Sequence, residues 1–447
     1  MSHIIKLSLL VLLLAGCSQQ AEDEKETGSS NKGKTIEIKA VNEDVIPVGE
    51  QTIAIVGATL IDGYGGEPVQ NATVIVRNSE IWKVGQAGSI EIPQDTEVVE
   101  ADGLTLMPGL IDAHFHLGNQ ALPTHFLHNG VTSVRDPGAW IESYANVRAS
   151  GEPIPRLFLT GPHLDMFPPA YPKNSSMVRD EIEAKEQIAK FVAQGASAIK
   201  VYFRIPPKIM QAICEEANAY GIPAVAHLEI TSATDAIHAG IDGIEHVTSF
   251  GIDLIPYREA ERYRQAVLAD NNARRNGRYE VWNSIDLNSA QADSLIQLIV
   301  ENQTVVSPTL GIFEYQLEGE NTDSIKAKGF EKMMTFVGKA KAAGAPVVVG
   351  SHAIVPYSDF GWAYQREMEL LAESGLSNAE VILAATMENA RFLRIEDRLG
   401  SIEAGKQADL ILVRGNPYED IQAMYQIEKV MLNGKWVPPL PEEEIRD

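Results

Sequence analysis

With 447 residues, 45% of them apolar and 22% charged, the chain suits a large globular core and is too long for one small module. Its net charge of −24 and the lack of any Lys/Arg run argue against a nucleic-acid partner, because phosphate binding needs a basic face. Beyond that, the acidity implies only a soluble surface that repels other anions.

At the N-terminus, Lys6 precedes the apolar stretch Leu7 to Leu14, which is too short to span a bilayer and has the proportions of a secretory h-region. It runs into Leu14-Ala15-Gly16-Cys17, which resembles a bacterial lipobox, so residues 1–17 read as a lipoprotein signal peptide with Cys17 as the lipidation site. The polar segment 18–50, holding Gly28-Ser29-Ser30, is expected to be a flexible tether. The implied location is the bacterial cell envelope, lipid-anchored at its periplasmic or outer-membrane face. With Cys17 acylated, Cys214 has no partner in the chain and reads as a small buried apolar residue.

Three zones follow. Residues 51–105 hold short strand-like runs such as Thr52-Ile53-Ala54-Ile55-Val56, and 396–440 hold more, such as Asp409-Leu410-Ile411-Leu412-Val413; the two zones are expected to pair into a small β-sandwich domain. Between them, 106–395 alternate apolar β-branched runs with helical stretches such as Arg179–Gln194 and Pro207–Tyr220. The expected strands are Leu104–Met107 leading to His116, Val131–Arg135, Arg156–Thr160, Ala198–Tyr202, Ile222–His227, Gly243–His246, Thr304–Ser307 and Val347–Gly350. Eight such units close into a (β/α)8 TIM barrel, an α/β fold. The polar stretch 251–302, containing Asn271-Asn272-Ala273-Arg274-Arg275-Asn276, is expected to be an elaborated loop forming a lid or rim.

Chemistry gathers at the predicted strand ends, where this fold places its active sites. His114 and His116 are two apart, so their rings share one face at the barrel mouth, an arrangement suited to Zn²⁺ or a similar borderline metal. His227 ends the fifth strand and His246 the sixth. Lys200 closes the fourth strand between apolar neighbours, where a free ammonium is costly. Either it pairs with a barrel carboxylate, or its amine carries CO₂ as a carbamate able to bridge two metal ions. Glu245, beside His246, is expected by strand alternation to face away from the histidines.

These motifs together resemble the amidohydrolase superfamily, closest to its imidazolonepropionase-like and prolidase-like branch. The resemblance spans about residues 50 to 435. It is carried by Pro108-Gly109-Leu110-Ile111-Asp112-Ala113-His114-Phe115-His116, by Gly130-Val131-Thr132-Ser133-Val134-Arg135-Asp136, by Ile199-Lys200-Val201-Tyr202, and by the tail Gly400-Ser401-Ile402-Glu403-Ala404-Gly405-Lys406-Gln407-Ala408-Asp409-Leu410. It implies two divalent ions, Zn or alternatively Mn, Co or Fe. His114 and His116 would hold one and His227 and His246 the other, with carboxylated Lys200 between them. It implies further that a hydroxide held by the metals attacks a carbonyl. Tyr202, on the same strand face as Lys200, and His163, after strand three, are candidate substrate contacts.

One element departs from the family pattern. After strand eight, where the family has a catalytic Asp, the run Val347-Val348-Val349-Gly350-Ser351-His352-Ala353 places His352. A neutral imidazole can ligate a metal but removes one negative charge and alters proton transfer. The expectation is therefore a membrane-anchored, metal-dependent hydrolase of C–N amide bonds, acting on a small peptide-like or cyclic amide, with turnover impaired by His352. The alternatives are a catalytically silent, metal-containing binding protein on the same scaffold, or an engineered inactive variant.

Overall fold

Alternating apolar residues after position 51 build five strands: β1 (Thr52–Leu60), β2 (Val69–Arg77), β3 (Glu80–Gln86), β4 (Glu97–Glu100) and β5 (Leu104–Pro108). A computed structural model describes residues 34–116, 123–149, 151–319 and 321–440. The expected signal segment and Cys17 lie outside the described residues.

The middle zone supplies β6 (Leu110–Asp112), β7 (Val131–Asp136), β8 (Arg156–Leu159), β9 (His163–Asp165), β10 (Ser175–Met177), β11 (Ile199–Val201), β12 (Ala224–His227), β13 (Gly243–Glu245) and β14 (Val305–Ser307). Parallel ladders join β6 to β7 and β7 to β8, then β9 to β11, β11 to β12, β12 to β13 and β13 to β14. The third barrel strand is bent. It runs through β8, turns at Gly161 (φ 72°) and resumes as β9, while Ser197 N donates to Leu159 O at 2.8 Å to tie β8 to the β11 segment. Residues 347–350 form the eighth strand and close the ring: Val348 N donates to Val306 O at 3.0 Å on one side, and Ala113 N donates to Val349 O at 3.1 Å on the other. This is a (β/α)8 barrel.

The flanking zones meet as one sheet. With β15 (Leu410–Arg414), β16 (Ile427–Leu432) and β17 (Lys435–Trp436), the order is β17-β16-β15-β5-β1-β2-β3, and β4 also pairs with β1. Apolar residues from both ends of this sheet, including Ile55, Val74, Leu106, Leu412 and Met431, share a single buried cluster. The sheet therefore curls over its own core as a sandwich does. Ile81 N donating to Lys406 O and Ala408 N to Ser79 O, each at 2.8 Å, pin β3 to the chain leading into β15.

Three sequence expectations need correction. Leu104–Met107 does not begin the barrel: β5 pairs with β1 and β15 in the flanking sheet, and the chain enters the barrel only after the break at Pro108-Gly109. The tether does not extend to residue 50, because Ile38, Ala40 and Ile46 are buried against the barrel and Val41 N donates to Leu157 O at 2.9 Å. The apolar spacing of Ile36, Ile38 and Ala40 outweighs the polar composition around it. Finally, the stretch 251–302 is largely helical, with helices Tyr257–Ala269 and Ala273–Ser284 preceding the helix Ala290–Glu301.

Candidate active site and metal centre

The end of the first barrel strand is fixed by Asp112. Its carboxylate accepts from His114 N (2.9 Å), Ser351 N (3.0 Å) and Ser351 Oγ (2.5 Å). Burial outweighs these bonds and raises its pKa to about 6. Strand one is thereby locked to the turn after strand eight, and His352 N donates to His114 O at 2.7 Å across the same junction. His246 and His352 both adopt left-handed backbone, φ 67° and 63°, which breaks the pleat and swings their rings inward.

Five imidazoles converge as a result. His114 Nε2 lies 3.1 Å from His116 Nε2. Ring centroids are 4.6 Å apart for His114 and His246, 4.4 Å for His227 and His246, and 4.7 Å for His116 and His352. Donor nitrogens of His114, His116 and His352 all fall within 4.8 Å of one another. All four predicted histidine ligands thus come together, with His352 beside them.

Each predicted ligand has an outer partner that orients its ring. His246 Nδ1 meets Thr309 Oγ1 at 2.7 Å, His227 Nε2 meets Glu229 Oε1 at 3.3 Å, His114 Nδ1 meets Glu245 Oε2 at 3.3 Å, and His116 Nδ1 lies 3.7 Å from Asp136 Oδ1. Burial above all, then repulsion among the rings and from nearby cations, holds His114, His227, His246 and His352 well below the ordinary histidine range. They are neutral imidazoles at neutral pH, the form that ligates metal. His352 Nδ1 is buried and has no hydrogen-bond partner. This donor set fits a borderline divalent cation.

Beneath the histidines the structure overturns the expectation for Glu245. Its carboxylate is fully buried, pairs with Arg135 (2.5 Å) and contacts the Lys200 amine. The reason is local: the left-handed turn at His246 lets two consecutive residues both serve the barrel interior, so simple alternation fails there. Lys200 is in this structure the ion-pair partner of a barrel carboxylate, and burial holds its amine well below the ordinary lysine range. Asp112, Asp136 and Glu245 were not assigned roles from sequence. Asp136 ends β7 and accepts from Tyr144 Oη at 2.6 Å, a strand-end position that could have flagged it.

Above the metal-ligand candidates opens a cavity of about 1090 Å³. Tyr202 and His163 both line it, as expected. Their rings stack at 4.5 Å, and Tyr202 lies 4.7 Å from His227. Burial keeps the Tyr202 phenol protonated, so its O–H can donate into the cavity. The far wall comes from the Ala273–Ser284 helix through Arg274, Arg275, Arg278 and Tyr279. Asp359 lines a separate surface depression with Tyr357 and Arg366.

Comparison with known proteins agrees with this architecture. A model of the amidohydrolase family matches residues 105–437. Ochratoxinase from Aspergillus niger is 23% identical over 455 residues, covering 85% of each chain. Among solved structures, a putative prolidase from Bifidobacterium longum superposes with a TM-score of 0.69 at 24% identity, covering 89% of this chain and 98% of that one. A Xaa-Pro dipeptidase with bound methionine superposes at 0.67 with 22% identity, covering 87% and 100%.

Proposed function

Because the chain belongs to the amidohydrolase family, we propose that it is a metal-dependent hydrolase of a C–N amide bond in a small peptide-like or cyclic amide. The observation that carries this reading is the convergence of His114, His116, His227, His246 and His352 at the base of a cavity. His114 and His116 would hold one divalent ion and His227 and His246 a second, with Zn the first choice. Lys200 would lie between them; its lowered pKa favours the neutral amine that adds CO₂ as a carbamate. Bound divalent ions would polarise the substrate carbonyl and acidify a water.

The chain's own residues do the rest. Tyr202 donates from its phenol into the cavity, and His163 holds the Tyr202 ring by stacking. His352 occupies the proton-transfer position, with Nδ1 open to accept a proton and return it to the departing nitrogen. Burial makes it a weak base, so this step is slow. The same residue favours a second reading, a metal-containing binding protein with little turnover. In both readings lipid attachment at Cys17 anchors the protein to the cell envelope, and Cys17→Ser would release it from the membrane fraction.

The test is metal content together with hydrolysis of a dipeptide panel by the parent and by His352→Asp. Activity in both, raised about tenfold or more by the Asp, supports the hydrolase. Activity in His352→Asp alone supports the binding protein. If both hold metal and neither hydrolyses, the enzyme reading fails for that panel.

A further inference from the structure

Thr309, whose hydroxyl meets His246 Nδ1 at 2.7 Å, is fully buried and stands in left-handed backbone at φ 47°. A β-branched residue rarely adopts that conformation, so the surrounding structure must hold the chain there. The segment before it is fixed to the end of strand six: His246 N donates to Ser307 O at 2.8 Å and Val247 N to Pro308 O at 2.9 Å. The segment after it is the short turn Leu310–Phe313, whose Ile312 and Phe313 line the cavity.

The helix Ala363–Glu373 holds that turn from behind. Glu367 is fully buried, and its two carboxylate oxygens accept from Leu310 N and Gly311 N, each at 2.7 Å. Arg366, its neighbour on the helix, holds the far end by donating to Glu314 from Nε (3.1 Å) and Nη2 (2.8 Å). Keeping the Glu367 carboxylate out of water is costly: burial raises its pKa to about 8 against the opposing pull of the two amide bonds.

Those two bonds fall on the peptide groups directly after Thr309. They fix the backbone that aims Thr309 Oγ1 at His246 Nδ1. A hydroxyl that takes the Nδ1 proton leaves the Nε2 lone pair free for a metal ion. Phe313, at the other end of the same turn, meets the His246 ring edge-on at 5.9 Å. One turn thus supports His246 from two sides, and the carboxylate of Glu367 anchors its first half.

We propose that Glu367 is a positioning residue for the His227–His246 half of the metal site, acting through the Leu310–Phe313 turn and Thr309 on the His246 ring. The inference rests on the metal-dependent reading of the site. Its test reads metal binding rather than turnover, so the two can fail separately.

The experiment titrates the metal-stripped parent and its variants with Co²⁺, following the visible absorption bands and the bound equivalents. His227→Ala, which removes the other ligand of the same ion, marks which equivalent belongs to that half of the site. Glu367→Gln should weaken that equivalent by about 10- to 100-fold, as loss of an outer-shell partner predicts, and leave the His114–His116 equivalent nearly unchanged. Thr309→Val should do the same, and Thr309→Ser, which keeps the hydroxyl, should restore parent-like binding. The double variant Glu367→Gln/Thr309→Val should lose no more than either single one, because both act along one route. Glu367→Asp, with its carboxylate withdrawn by one methylene, should fall between parent and Gln, and it decides the matter if Glu367→Gln does not fold. Equal weakening of both equivalents, additive losses in the double variant, or a lowered melting temperature with unchanged Co²⁺ binding would make Glu367 a purely structural group and overturn the inference, leaving the metal reading standing. A parent that binds no Co²⁺ overturns both.

Discussion

Gly138 shows how closely the site is packed. A Cβ at this position would stand 2.0 Å from His163 Nε2, so only glycine lets the His163 ring reach its stack on Tyr202. Gly138→Ala should push His163 off Tyr202 and lower kcat/KM about tenfold, while overpacking costs about 1–3 kcal/mol of stability. Thermal melts and kinetics on the same preparation check this; lost stability with unchanged kcat/KM would deny His163 any part in substrate binding. Individual residues were unequally legible in the sequence. His114 and His116 declared themselves because residues two apart at a strand end share a face. Glu245 was misplaced because the positive φ of His246 leaves no trace in residue spacing. Asp112 was passed over because two of its three partners, Ser351 N and Ser351 Oγ, are brought to it only by closure of the barrel.

At the scale of elements, the segment between the barrel and β15 is tied back to the flanking sheet through Glu403. Glu403 accepts from Ser401 Oγ (2.6 Å) and Tyr64 Oη (2.5 Å) and pairs with Lys406 (3.1 Å), joining the tail to the turn after β1. The Ser401 bond first, then Tyr64 and Lys406, holds its pKa at about 2. A carboxylate depressed in the folded state adds stability above its ordinary pKa, and loses it as pH falls through the folded value. Glu403→Gln should therefore lower the urea midpoint at pH 7, by roughly 1 kcal/mol or less for so exposed a group. The gap should narrow below pH 4.5 and close near pH 2. A gap that widens on acidification would contradict the assignment. The strands were readable as β-branched runs between turn signals, and the tail as a motif. The helices at 257–284 were not, because their polar, Arg- and Asn-rich sequence carries few apolar residues; Ala260, Val267, Arg274 and Trp282 are the only buried residues across the two.

Across the whole molecule, the barrel and the flanking sheet are joined by one buried cation. Arg156 on β8 donates to Asp409 Oδ2 (2.6 Å) and Oδ1 (3.1 Å), to Glu43 Oε1 (2.9 Å) and to Asn433 Oδ1 (3.2 Å). Arg156→Met would strand the buried Asp409 carboxylate and cost about 3–5 kcal/mol. Adding Asp409→Leu should recover much of that loss in urea unfolding, and failure to recover would mean that Arg156 acts through packing alone. The sequence marked both partners as strand-end residues of separate zones, but their pairing depends on how β5 and β15 meet.

The central claim, metal-dependent amide hydrolysis at the histidine cluster, is tested most directly by following dipeptide hydrolysis before chelation, after it, and after Zn²⁺ is restored. The account predicts that chelation abolishes hydrolysis and that Zn²⁺ recovers it in the parent but not in His114→Ala. Hydrolysis that survives complete removal of metal would contradict it.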